Sequence, residues 1–280
     1  MILGVHVSGM TKLHESFEHA KALGCNTMQI FSRSPQRWRQ KALDSQEITA
    51  FIESRKKCRI DPVFIHVPYL INLASPDKKL YGASIKAYIE DIKEAALLKA
   101  DYIVTHMGSH KNTNEFSGLK RLTSALNIIL KKTSDKKVGV LLENTSGSGS
   151  WLGYKFQHQK KVLEGIKDNE RVGLCLDTAH AYLAGYDIAT EAGLEELVCE
   201  IDSLVGIKRI KLIHLNDTKD KLGSLHDRHY HIGQGNIGMA GMKRIVNHPK
   251  LRNIAFVLET PKDSAQADEM NLNTVRKLRI

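Results

Sequence analysis

Eight short apolar runs recur along this chain at intervals that fit one strand and one helix each. They are ILGVH (2–6), NTMQIF (26–31), PVFIH (62–66), DYIVTH (101–106), VGVLLE (138–143), RVGLCLD (171–177), RIKLIH (209–214) and IAFVLE (254–259). Runs of this length bounded by turn residues read as strands buried on both faces. Helical spacing fills the intervals. Ile85, Ile89, Ile92 and Ala96 form one stripe, behind a Ser75 cap with Pro76 at the first helical position. Leu119, Leu122, Leu126 and Ile129 form a second, and Leu194, Leu197, Ile201 and Leu204 a third. With no linker, repeat or low-complexity tract, eight strand-then-helix units predict a single-domain α/β chain, a (β/α)8 TIM barrel over residues 1–280. A doubly wound open sheet is the competing topology.

The last residue of each run separates the two. Seven of the eight runs end on His, Asp or Glu: His6, His66, His106, Glu143, Asp177, His214 and Glu259. Those types account for 44 of 280 residues, so chance placement is a poor explanation. In a barrel the C-terminal strand ends converge on one rim, where active sites sit. In an open sheet they would be strung along an edge. The pattern therefore favours the barrel and a site at its mouth.

The residue types point to metal. Asp177 and His180 in DTAH stand where strand six turns into its loop. Asp227 and His229 in DRH are two apart, which in an extended segment aims both the same way. His226 has the wrong parity to join them, and His231 lies ~6.6 Å further along, too far for a metal bonded at ~2.0–2.1 Å. One such histidine is more often a satisfied structural group. Nine groups on one rim, His66, His106, Glu143, Asp177, His180, His214, Asp227, His229 and Glu259, would repel without cations between their carboxylates. Imidazole and carboxylate suit zinc, with manganese or iron as substitutes. At about three protein ligands per catalytic ion, two or three metals are expected. The four cysteines, Cys25, Cys58, Cys175 and Cys199, are scattered, which argues against a thiolate site and fits a reducing compartment.

The N-terminus lacks a charged leader and no apolar stretch approaches the ~18 residues of a membrane span, so a cytoplasmic protein without membrane contact is expected. The formal charge of +10 fits either simple solubility or a polyanionic partner. After strand two, SRSPQRWRQK carries Arg33, Arg37, Trp38, Arg39 and Lys41, a cationic and aromatic segment on the catalytic face suited to DNA contact. GQGNIG (233–238) spells a dinucleotide fingerprint but follows strand seven by nearly twenty residues of charged loop, which fails the context a dinucleotide site requires. Its Gly233 and Gly235 amides either face DNA phosphate or close a tight turn.

HVPYLINL, HMGSH, LLENTSGSGSWLG, GLCLDTAHAYLAGYD, HLNDTKDKLGSLHDRH and HIGQGNIG, in this order, resemble the endonuclease IV family of apurinic/apyrimidinic endonucleases. The resemblance runs from GVHVS at the N-terminus to LETPKDS near the C-terminus. It implies three zinc ions. His66 and His106 would hold one with Glu143, which bridges to a second held by Asp177, His214 and Glu259; His180, Asp227 and His229 would hold the third. Glu143 and Glu259 are read as catalytic carboxylates as well as ligands. The implied substrate is double-stranded DNA cut 5′ to an abasic site, leaving a 3′-hydroxyl and a 5′-deoxyribose phosphate, with cleaning of blocked 3′ ends. Such hydrolysis needs a hydroxide, neutralised phosphate oxygens and a stabilised departing oxygen, tasks that two or three divalent ions can share. A monomer working at the nucleoid is expected. The family also implies an Arg and a Tyr inserted at the lesion, the latter matching Tyr69. The chain departs from the pattern at Gln36-Arg37-Trp38, where relatives often have Arg then Gln, and at Met107 and Gln234, where HPGSH and GEG are usual. Two other readings are a single-metal sugar isomerase or epimerase, which needs only Glu143, Asp177, His214 and Glu259, and a DNA-binding protein without catalysis. The five further ligand-type residues argue against the isomerase.

Overall fold

Side chains alternate along a strand, so a barrel sorts each strand's residues into an inner and an outer set. The computed structural model describes residues 1–8, 10–31, 38 and 43–280. Its strands are β1 (Ile2–Val7), β2 (Thr27–Phe31), β3 (Val63–His66), β4 (Tyr102–His106), β5 (Gly139–Glu143), β6 (Val172–Asp177), β7 (Ile210–His214) and β8 (Ala255–Leu258). Each lies parallel to the next, and β8 closes onto β1. All eight predicted runs are strands, with ends displaced by no more than one residue. The closed barrel excludes the open sheet.

Register aligns the site. His6 lies opposite Gln29, His106 opposite Glu143, and Asp177 opposite His214. Two residues below the strand-end groups, Phe64, Val104, Leu141, Cys175, Leu212 and Val257 pack with Ala255 into one buried cluster. That layer fills the lumen, so the polar residues above it sit on a closed apolar floor.

Around the barrel lie α1 (Glu15–Ala22), α2 (Ser45–Cys58), α3 (Lys78–Leu97), α4 (Glu115–Lys132), α5 (Phe156–Gly165), α6 (Thr178–Leu183), α7 (Glu191–Val205), α8 (Gly238–Asn247) and α9 (Ala267–Leu278). Their buried faces and the outer faces of the strands form the larger core. Polar side chains start many of them: Asp44 accepts from the Glu47 amide, Asn114 from Ser117 and Thr190 from Gly193. The expected stripe of α4 is buried in full, whereas Leu204 of the α7 stripe is only partly buried.

Helix α3 corrects two expectations. Asp77, not Ser75, is its cap, accepting from the Lys79 and Leu80 amides, while the Ser75 hydroxyl accepts from the Asp77 amide one step earlier. A carboxylate reaching two orphan amides outcompetes a hydroxyl followed by proline. The buried face is Ser84, Tyr88, Asp91, Ile92 and Ala95; Ile85, Ile89 and Ala96 flank it, half buried.

Candidate metal centre

The C-terminal strand ends bring eight of the nine predicted ligands into a cluster of buried or half-buried groups, with the Asp227 side chain, about half exposed, completing its edge. Ligand atoms of His66, His106 and Glu143 lie within 4.8 Å of one another; so do those of Glu143, Asp177, His214 and Glu259, and those of Asp177, His180 and His229. Asp227 reaches the last group, with Oδ1 3.0 Å from His180 Nε2 and 3.9 Å from His229 Nε2.

Local structure sets these positions. The strand-to-loop turn expected after β6 is instead the start of α6, because the Asp177 carboxylate caps that helix by accepting from the His180 amide at 2.7 Å. Asp177 Oδ1 is thereby fixed, and Oδ2 faces Asn216 Nδ2 at 2.7 Å and His229 Nε2 at 3.5 Å. His180, one turn into α6, leans back over the mouth of the barrel.

Hydrogen bonds to carbonyls decide where each imidazole keeps its proton. His66 Nδ1 lies 2.7 Å from the Val67 carbonyl, His180 Nδ1 2.9 Å from that of Asn144, and His229 Nδ1 3.2 Å from that of Glu259. A carbonyl only accepts, so each Nδ1 donates and each Nε2 of the neutral ring presents a lone pair. His214 is reversed: its Nε2 donates to Gln29 Oε1 at 2.9 Å, so Nδ1 faces Glu143 Oε1 at 3.1 Å and Glu259 Oε2 at 3.2 Å. Four lone pairs are therefore aimed at carboxylate oxygens, an arrangement that repels unless a cation or a proton lies between.

The donor set fits a metal. Two ligands bonded at ~2.0–2.1 Å to one tetrahedral ion stand ~3.3 Å apart. The corresponding separations are 3.1 Å for His66 and Glu143, 3.5 Å for His106 and Glu143, and 3.5 Å for His229 and Asp177. His229 Nε2 is buried with no hydrogen-bond partner.

Charge within the cluster is self-consistent. Burial works against ionising Glu143, but His214 and His106 outweigh it and hold the carboxyl well below the usual range. Glu259 is lowered likewise by His214 and His6 against its burial. Asp227 falls to about 2, burial being outweighed by His180. Burial disfavours charge on His180 and His214, yet Asp177 and Asp227 raise the first, and Cys175, Glu259 and Glu143 the second, well above the ordinary imidazole range.

The family described as Xylose isomerase-like TIM barrel matches residues 17–278. A curated relative from Chloroflexus aurantiacus, "Probable endonuclease 4", is 40% identical over 276 residues, covering 98% of this chain and 97% of the relative. The crystal structure of endonuclease IV from Thermus thermophilus superposes with a TM-score of 0.87 at 34% identity, covering 99% of this chain and 98% of that one. The chain belongs to the endonuclease IV family. The crystal structure of a D-tagatose 3-epimerase-like protein also superposes, with a TM-score of 0.71 at 20% identity and coverage of 99% and 98%, which speaks for the barrel alone.

Within this endonuclease IV family member, three polar residues of the site escape the sequence reading. Gln29 in β2 donates to Glu259 Oε1 at 2.6 Å while accepting from His214, so one amide holds two cluster groups. Asn216 joins Asp177 to the backbone of Glu259, and Asn144 ties its amide oxygen to the Asp177 backbone. Gln29 leaves one signal, a lone amide in the otherwise apolar run TMQIF.

The GQGNIG loop of this chain is a turn. Asp217, fully buried after β7, accepts from the amides of Gly233 and Gly235 through Oδ2, at 3.0 and 3.1 Å, and from Thr218, Ile237 and Gly238. Of the two readings of Gly233 and Gly235, facing phosphate or closing a tight turn, the structure has the turn: an internal carboxylate takes the position an anion would fill, and neutralises the start of α8. A Cβ at residue 235 would lie 2.4 Å from Asp217 Oδ1, so only glycine closes this turn.

The remaining candidates separate cleanly. His226 is exposed, 3.5 Å from Asp220. His231 is buried away from the cluster, between Asp263 Oδ2 and Asn271 Nδ2, each at 3.0 Å. Tyr69, 62% exposed, stands over the cluster with its ring 6.0 Å from that of His66 and 6.3 Å from that of His106. Loss of hydration around its hydroxyl over the cluster, and then the charges of Glu259 and Glu143, push it up to about 12, so it stays a neutral phenol. Trp38 is 38% exposed. Arg33, Arg37, Arg39 and Lys41 lie outside the described residues.

Proposed function

We propose that this protein is a zinc-dependent DNA repair endonuclease that hydrolyses the phosphodiester 5′ to abasic sites in duplex DNA and cleans blocked 3′ ends. The observation that carries the reading is the set of imidazole nitrogens facing carboxylates, in a chain whose curated relatives are named "Probable endonuclease 4". His66, His106 and Glu143 would hold one ion; Glu143, Asp177, His214 and Glu259 a second; His180, Asp227 and His229 a third. Zinc is the first choice, with manganese able to substitute. When bound, the ions supply positive charge to phosphate oxygens and acidify water, so no histidine is needed as a general base.

The chain's own residues do the rest. Glu143 joins the first two groups of ligands and is buried, at 1% exposure. Gln29 keeps Glu259 turned toward His214. Tyr69, exposed over the mouth and backed by Phe31 at 5.7 Å between rings, suits stacking against an unpaired base or the gap left by a lost one. Arg33, Arg37, Trp38 and Arg39 would grip the DNA backbone beside it. The working form is a monomer in the cytoplasm, at the nucleoid where its substrate lies. An epimerase would need only the central group, which leaves His66, His106, His180, Asp227 and His229 without a purpose.

The test is conversion of a depurinated supercoiled plasmid to nicked circles by metal-loaded protein, alongside ketose turnover by the same sample. Nicking with no ketose turnover is expected. Ketose turnover without nicking overturns the reading.

A further inference from the structure

Nine lysines and arginines line one cavity at the pole of the barrel away from the metal centre. The turns from α3 into β4, α4 into β5 and α7 into β7, with the start of β6, surround a cavity of about 1520 Å3. These are N-terminal strand ends, so a strand of six residues at ~3.3 Å each sets the cavity about 20 Å from the metal ligands. Nine of its 22 lining residues are Lys or Arg and three are Asp or Glu, against 41 and 31 in the whole chain.

Two of the three acids are already engaged. Asp101 is bound 2.6 Å from Arg55 Nη2 and accepts from the Val63 amide, and Asp135 is paired with Lys136. Lys99, Lys132, Lys137, Lys208 and Lys211 are exposed and form no ion pair among the described residues. Arg171 and Arg209 are fixed beneath them by hydrogen bonds to backbone carbonyls, those of Thr133 and Val138 for the first and of Asn169 and Val172 for the second.

Two local features aim lysines here. The pairing of β6 with β7 shifts between Leu174 and Cys175, whose partners are Ile210 and Leu212, so Lys211 is an extra residue in β7. Such a bulge re-aims a side chain. Lys211 Cγ passes 3.2 Å from where a Cβ at Gly173 would stand, so the glycine leaves room for the lysine stem. Lys99 ends α3 at φ 55°, a left-handed conformation that glycine adopts more cheaply, and it also lines a second cavity with Lys56 and Arg59.

The cavity exceeds the ~300–1,000 Å3 of a small-molecule pocket, and Lys and Arg are the commonest residues in its lining. A run of unpaired lysines suits a phosphodiester backbone. We propose that this pole is a second DNA-binding surface, holding undamaged duplex while the metal centre engages another segment. The choice of DNA rests on the nuclease reading above. With a persistence length of about 150 base pairs, duplex cannot turn locally from one pole to the other, so the two segments are separate or distant along one molecule.

The test mixes metal-loaded full-length protein with donor-labelled and acceptor-labelled lesion-free duplexes, each shorter than a persistence length. Energy transfer between the two labels is expected, fading as salt rises. The variant Lys132→Gln/Lys137→Gln/Lys208→Gln should lower transfer at least about five-fold, while nicking of a short abasic duplex stays within about two-fold of the parent. Equal transfer in parent and variant overturns the proposal, as does no transfer in the parent. Competition by duplex RNA far below the concentration needed for DNA overturns the choice of DNA. Nicking by the parent reads the nuclease assignment separately: nicking without transfer removes only the second surface, and transfer without nicking removes only the nuclease.

Discussion

His229 Nε2 lies 3.5 Å from Asp177 Oδ2, buried and without a hydrogen-bond partner, while His229 Nδ1 donates to the Glu259 carbonyl. A buried nitrogen lone pair beside a carboxylate is costly unless a cation lies between them. At His66, His180 and His214 the second ring nitrogen also faces a carboxylate oxygen, at 3.1, 3.0 and 3.1 Å, close enough for a hydrogen bond when no cation lies between. Elemental analysis of gently purified protein should therefore give close to three divalent ions per chain. His229→Ala should retain two and lose most activity. His226→Ala should retain three, and so should His231→Ala, which removes the contacts to Asp263 and Asn271 at a cost of about 1–3 kcal/mol in stability. Loss of a metal in His231→Ala but not in His229→Ala would contradict the assignment.

Protons stand in for metal when metal is removed. His180 and His214 are raised well above the ordinary range, so stability they contribute is complete below about pH 6.5 and lost as pH rises through their folded values. Glu143 and Glu259 are lowered, so their contribution is present above about pH 4.3 and lost as pH falls through their folded values. The metal-free protein should thus be most stable between these limits, its Tm falling as pH is raised past neutral. Zinc binding at pH 7 should release about two protons, read by calorimetry in buffers of different ionisation enthalpy. Binding without proton release would contradict this charge distribution.

The convergence of these side chains was legible because barrel closure turns a period-two pattern into one rim: His66, His106, Glu143, Asp177 and His214 end their strands facing inward. Gln29 was not, because its partners Glu259 and His214 lie far along the chain and meet it only once β8 closes onto β1 and β2. The GQGNIG loop left two readings open. The same letters make an anion nest whether the anion is a ligand or the chain's own carboxylate, and only the fold shows Asp217 inside it. At α3 the dipeptide Ser75-Pro76 offered a plausible start, but the stronger acceptor Asp77 stood two residues on.

Gln29→Leu should expose the value of that bridging amide. Glu259 and His214 lose their common anchor, so metal affinity or kcat should fall about 10–100-fold while the far-ultraviolet dichroism is unchanged. Gln29→Glu places a charge beside Glu259 and should not restore activity. Parent-like kinetics and metal affinity in Gln29→Leu would show that Glu259 is held by other means.

Asp217→Ala removes the acceptor for five amides and should destabilise the protein by about 3–5 kcal/mol, a fall of roughly 6–20 °C in Tm. Its metal content should not change. A variant of normal stability that had instead lost DNA affinity would mean that the loop serves phosphate after all.

The central claim is hydrolysis at an abasic site by this metal cluster. A duplex carrying one tetrahydrofuran abasic analogue cannot undergo β-elimination, so any cut in it is hydrolytic. Metal-loaded protein should cut once, on the 5′ side of the analogue, leaving a 3′ end that a polymerase extends directly, and prolonged chelation should abolish the cut. An intact duplex after incubation with protein carrying three metals, or a cut whose 3′ end cannot be extended, would contradict the account.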